Sequence, residues 1–133
     1  MKRSLAVIPL LTLFALGLAA APLKATVAGL TKDAKFDKKA VIVKAKVAKF
    51  QARTSRDGNP YYVFKLEDGG KQVSVYGHGK LPQAPKDGQT VEVTGLFAKE
   101  RKLGTRTFKD EIDTSPVKGQ KYGVTLISVA KAH

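Results

Sequence analysis

The sequence predicts a small all-β domain, a sandwich or barrel of five or six short strands. Three observations predict it. In several runs apolar residues alternate with polar ones, the period-two pattern of a strand with one face buried and one wet. Turn signals built on Gly, Pro, Asn and Asp recur about every ten residues. No internal repeat and no stretch with the three-to-four-residue spacing of an amphipathic helix is evident.

The first element lies ahead of that domain. Met1 to Ala21 opens with Lys2 and Arg3, continues with an apolar run from Leu5 to Leu18, and ends in Ala19, Ala20 and Ala21. Basic, then apolar, then small is the order of a secretory signal peptide. Cleavage is expected after Ala20 or Ala21, with Ala25 the weaker choice. The alternative is an uncleaved anchor, because the 19 residues from Leu5 to Leu23 carry no charge and just suffice to span a bilayer. Pro9 and the Ala-x-Ala ending favour removal. A periplasmic or secreted bacterial protein is therefore expected, with a membrane contact only if the segment stays attached.

Residues 22–39 read as a polar lead-in, with at most a short turn or edge strand. The domain proper is expected over residues 40–133. In AVIVKAKVAKF, Val41, Val43, Ala45 and Val47 share one face, while Ile42, Lys44, Lys46 and Ala48 share the other. Continued to about Ala52, this strand is long enough that it must bend. Arg53 to Pro60 is a turn, with Asp57-Gly58 tolerating positive φ and Asn59-Pro60 blocking further pairing. Tyr61 to Glu67 is a second strand with Tyr62, Phe64 and Leu66 inward. Asp68-Gly69-Gly70 turns into a third, Gln72 to His78, with Val73 and Val75 inward. Gly79 to Gln89 holds Pro82 and Pro85 and reads as an irregular connection. Thr90 to Phe97 alternates again, with Val91 and Val93 inward and Gly95 at a bend or bulge. Ala98 to Arg106 reads as a charged loop. Thr107 to Asp113 is a fifth strand, Thr114 to Gln120 a loop, and Tyr122 to Val129 a last strand.

This order of motifs resembles the OB-fold. A long bendable strand is followed by Gly58, Tyr61, Phe64, Leu66, Asp68 and Gly69, then Val73 and Val75, then Asp87, Gly88, Val91, Val93 and Gly95. The likeness runs from Val41 to about Ile112 and is nearest the anticodon-binding and single-strand-binding branch. It implies a small five-stranded Greek-key barrel, here with an additional C-terminal strand. The segment Tyr76 to Phe97 is also similar to the periplasmic haem chaperone of cytochrome c maturation, through Gly79, Leu81, Pro82, Gly88, Gln89 and Gly95. Phe108, Asp110, Glu111 and Ile112 continue that likeness. Where that family carries its haem-attaching His, this sequence reads Asp113, Thr114, Ser115, Pro116 and Val117. Covalent haem binding is therefore not carried over.

Composition narrows the function. The 133 residues hold 24 Lys plus Arg against 11 Asp plus Glu, a formal net charge of +13, and no Cys. Without Cys, disulfides, thiolate metal sites, cysteine nucleophiles and iron–sulfur clusters are excluded. Loss of the leader would leave about 112 residues at +11. Such a balance predicts an anionic partner. His78 and His133 are the sole histidines, and no ligand or nucleophile spacing surrounds them. Asp110, Glu111 and Asp113 read as solvated charges offsetting Lys and Arg. No enzyme, metal or cofactor is expected.

Binding has a better candidate. The outward face of the first three strands gathers Lys44, Lys46, Tyr61, Lys65, Tyr76 and His78. Two flanking loops add Arg53 and Arg56, and Lys99, Arg101, Lys102 and Arg106. Amines neutralise phosphates, and flat rings stack on bases without choosing among them. Single-stranded nucleic acid or another polyanion is the expected partner, with an envelope protein as a further candidate. Two other classes fit less closely: a periplasmic assembly or chaperone module, and a small envelope stress protein of the bacterial OB-fold type.

Overall fold

The computed structural model describes residues 21–127. The leader up to Ala20, the end of the last expected strand at Ser128 and Val129, and His133 lie outside the described residues.

Among the described residues, seven strands form one sheet: β1 (Leu23–Ala25), β2 (Lys39–Thr54), β3 (Pro60–Asp68), β4 (Lys71–His78), β5 (Thr90–Leu103), β6 (Arg106–Asp113) and β7 (Gly123–Leu126). The order is β1-β2-β3-β4-β6-β5-β7, and a further β2–β5 pairing closes β2, β3, β4, β6 and β5 into a barrel. All pairs within the barrel are antiparallel except β4–β6, which is parallel. The expected five-stranded OB barrel with an added C-terminal strand is present. A short N-terminal strand, β1, also lies parallel to β2.

The inward faces are those the alternation predicts. Val41, Val43 and Val47 of β2, Tyr62, Phe64 and Leu66 of β3, Val73 and Val75 of β4, and Val91 and Val93 of β5 are all buried. Phe97 of β5 and Ile112 of β6 complete the barrel interior. Each such side chain contributes about 1.5–3 kcal/mol by leaving water.

The long strand bends where it must. The β2–β3 register shifts between Ala48 and Gln51, and Lys49 there has a φ of 58°. The irregular connection holds the bend in place. Lys49 N donates to Asp87 Oδ1 at 2.9 Å, and Gly88 N donates to the Val47 carbonyl at 2.8 Å.

Three expectations are corrected. Gly95 is not a bulge, since β5 pairs with β2 in unbroken register through it. It is buried, and a Cβ there would run into the Asp113 carbonyl oxygen, so the need is for close strand approach. Ala98 to Leu103 is not a loop. β5 continues through it and pairs with β6 as a two-stranded arm that turns at Gly104. The lead-in contains a helix, α1 (Val27–Lys32), followed by a 3-10 turn at Ala34–Phe36. Thr26 caps α1 by accepting a hydrogen bond from Gly29 N at 3.0 Å. A six-residue helix has little stability of its own. Val27 and Leu30, three residues apart and wholly buried with Phe36 close behind, hold it onto the core.

Candidate functional site

The outward face of β3 and β4 and the inner face of the β5–β6 arm enclose an open groove of about 390 Å³. Its residues are placed by strand register. Tyr61 pairs with His78, Val63 with Tyr76, and Lys65 with Ser74, so Tyr61 and Tyr76 are diagonal neighbours on one face. Their rings lie 5.7 Å apart at an angle of 43°. His78 meets Tyr76 edge-on at 5.4 Å and lines an adjoining hollow with Ser55, Asn59 and Gly79. Burial pushes the Tyr76 hydroxyl above the usual tyrosine value, and the nearby Asp113 adds to the shift.

The arm supplies the opposite wall. Arg101 and Phe108 are cross-strand partners. The Arg101 guanidinium stands 5.0 Å from the centre of the Phe108 ring and 5.6 Å from that of Tyr76. Arg106 covers Phe108 at 5.4 Å. Strand alternation breaks at Asp110, where φ is 48°, so Phe108 and Glu111 line the same groove although three residues apart. The β2 edge contributes Lys49, Gln51 and Arg53. Arg53 Nε donates to Gln51 Oε1 at 2.8 Å, and Lys65 Nζ donates to Ser74 Oγ at 2.8 Å.

The groove therefore carries five cations, Lys49, Arg53, Lys65, Arg101 and Arg106, against one carboxylate, Glu111. Glu111 corrects the expectation of solvated acids: it is only 6% exposed and accepts from Arg101 Nε at 2.7 Å. That bond holds the Arg101 pKa above its ordinary value. Beneath the groove, Tyr62 and Thr114 join their hydroxyls, and Thr114 donates onward to the Tyr76 carbonyl at 3.1 Å. Burial pushes the Tyr62 pKa up. Gly77 gives this pair its space, since a Cβ there would strike both hydroxyls.

Of the twelve residues predicted from sequence, the structure brings six together in the groove: Arg53, Tyr61, Lys65, Tyr76, Arg101 and Arg106. His78 borders it. Arg56 and Lys102 are exposed and stand outside it. Lys99 is removed from the set. Its ammonium donates to the carbonyls of Leu30 and Thr31 at 3.2 and 3.1 Å and pairs with Asp110 at 3.2 Å. It thus satisfies the C-terminal carbonyls of α1 and faces away from the groove. Lys44 and Lys46 line a separate hollow with Glu67, Asp68 and the β3–β4 turn. Lys44 is opposite Glu92, and Lys46 opposite Glu67.

Phe108, Lys49 and Glu111 were not anticipated. Alternation from Ile112 counts Phe108 inward, and only the left-handed Asp110 turns it to the groove. The nearest signal was Phe108 lying two residues after Arg106 in an otherwise polar stretch.

No family model matches the chain, and no curated protein does. Solved structures do. The OB domain of Ta0387 from Thermoplasma acidophilum aligns over 83% of this chain and 92% of its own, at 12% identity and a TM-score of 0.51. The yeast Stn1 and Ten1 structure aligns over 82% of this chain at 9% identity and a TM-score of 0.56. There the chain spans 64% of the matched one. It also aligns over 71% of its length with 20% of a chain assigned as an aspartyl-tRNA synthetase from Leishmania major, at 17% identity and a TM-score of 0.48, too low to weigh. The first two likenesses establish the fold, an all-β OB barrel.

Proposed function

We propose that this protein is an exported, non-catalytic OB-fold protein that binds single-stranded nucleic acid, or a polyanion of similar chemistry, along the groove between β3, β4 and the β5–β6 arm. One observation carries the reading. The Tyr61–Tyr76 ring pair is exposed to a groove bordered by five cations. Rings offer stacking to any base, and the cations meet the phosphates between bases. Strands and loops in these positions form the oligonucleotide face of OB-folds. The OB-domain neighbours support the fold on which this rests. Export rests on the pattern of Met1 to Ala21.

The groove's positive charge counts against a module for cationic ligands. The haem-chaperone reading gains no support, because the segment just after Ile112 carries no His. The test is a labelled oligonucleotide titrated into the mature chain alongside heparin. Binding that falls steeply with salt and exceeds that of heparin is expected. No binding at about 50 mM salt would sink the nucleic-acid reading. Equal affinity for heparin would reduce it to generic polyanion binding.

A further inference from the structure

Glu111 is an odd residue to find in a groove for an anion. It is a carboxylate, 6% exposed, in a chain of formal charge +13. A buried carboxylate is costly unless paired and hydrogen-bonded. Its partner is specific: Oε1 takes the Nε–H of Arg101 at 2.7 Å. Arg101 is itself one third exposed, with its guanidinium against the rings of Tyr76 and Phe108. The bond to Glu111 uses the inner nitrogen of the guanidinium. No hydrogen bond joins its two terminal amino groups to another described residue.

An arginine loose in a groove must lose rotamer freedom to bind, which weakens affinity. Here that loss is already met in the free protein. The carboxylate fixes the position of Nε, and the Tyr76 and Phe108 rings pack against the guanidinium at 5.6 and 5.0 Å. The terminal amino groups then form a preset fork of the kind that grips a phosphate with two hydrogen bonds. The Tyr61–Tyr76 ring pair stands beside it, while Phe108 packs against both Arg101 and Arg106.

We propose that Glu111 is the positioning residue of this groove, fixing Arg101 as a phosphodiester-binding fork beside the base-stacking pair of Tyr61 and Tyr76. The inference rests on the nucleic-acid reading above and deepens it. The ligand is a strand in which a phosphodiester sits between two bases, so a sulfated polysaccharide, lacking the bases, is a poorer fit.

The alternative role for Glu111 is to dilute the positive charge of the groove. The two roles give opposite signs. Glu111→Leu makes the groove one charge more positive and removes the acceptor that holds Arg101 Nε. If Glu111 only dilutes charge, the variant binds an oligothymidylate more tightly and with a steeper salt dependence. If it positions Arg101, the variant binds about tenfold more weakly, the loss of one charge-assisted hydrogen bond. Its log-affinity against log-salt slope then also flattens by about 0.7, one single-strand phosphate contact. Glu111→Asp keeps the charge, shortens the reach, and is expected to weaken binding as well. Thermal unfolding measured in parallel identifies a variant that has lost its fold, and the other variant then decides. Tighter binding by Glu111→Leu, or native affinity and slope in Glu111→Asp, would overturn the inference while leaving the nucleic-acid reading intact. A native chain that binds no oligothymidylate would overturn both.

Discussion

The two basic ends of this barrel differ in what faces their cations. At one end Lys44 and Lys46 line a hollow with Glu67 and Asp68, and each sits across the sheet from a glutamate. At the other, Arg53, Lys65, Arg101 and Arg106 share a groove with Tyr61, Tyr76 and Phe108 and a single carboxylate. In sequence the two sets look alike, basic residues on the wet side of strands or in the loops beside them. Opposite charges placed directly across a sheet stabilise it and cancel its field. Cations beside rings leave both charge and stacking surface for a ligand. Net charge announces an anionic partner, whereas the residues opposite each cation decide where that partner sits.

The comparison breaks most readily at the rings. Tyr61→Ala with Tyr76→Ala should weaken single-strand binding by about 2–6 kcal/mol, taking about 1–3 for each stacked base. The barrel should remain folded, because both rings lie outside the core. Fluorescence anisotropy with a labelled oligonucleotide reads the loss. Charge comes next. Arg53→Ser with Arg106→Ser should flatten the salt dependence by about 0.7 for each contact removed. Lys44→Ser with Lys46→Ser, which removes the same charge from the other end, should leave that slope near its native value. Equal slopes from the two pairs would erase the distinction between the ends.

Lys99 supplies a smaller test, of stability and not binding. Lys99→Met should lower stability by about 1 kcal/mol, since the α1 carbonyls and Asp110 lose their donor. Affinity for the oligonucleotide should be unchanged. Denaturant unfolding and the same anisotropy assay check both halves.

The smallest effect is a pH dependence. Tyr62 and Tyr76 both have folded-state pKa values raised above the ordinary tyrosine value, chiefly by burial. The stability linked to their protonated forms is complete below the unfolded value of about 10 and drains away as pH climbs through the folded-state values. Phenolate absorbance of the native chain should therefore lag that of the denatured chain in alkaline titration. Superimposable curves would contradict it.

What was legible in the sequence follows from burial. β2, β3, β4 and the first half of β5 each have one dry face, so Val41, Val43, Tyr62, Phe64, Val73 and Val91 mark them by simple alternation. The arm after Phe97 projects past the core, has no dry face, and so hides its strand in a run of charges. α1 is too short for periodicity, and the spacing of Val27 and Leu30 after a Thr cap was the available trace. At the site, Tyr61 and Tyr76 were legible because strand parity put them outward. Phe108 was not, because the positive φ of Asp110 reverses parity at that point. Lys99 was indistinguishable from its neighbours until α1 was seen to end beneath it.

Mapping an oligonucleotide onto the protein by NMR, residue by residue, tests the central claim most directly. Amide shifts are expected at Arg53, Tyr61, Lys65, Tyr76, Arg101 and Phe108 as a short oligothymidylate is added, with Lys44, Lys46 and Lys71 unmoved. Shifts centred on the Lys44 and Lys46 hollow, or spread evenly over every basic residue, would contradict it.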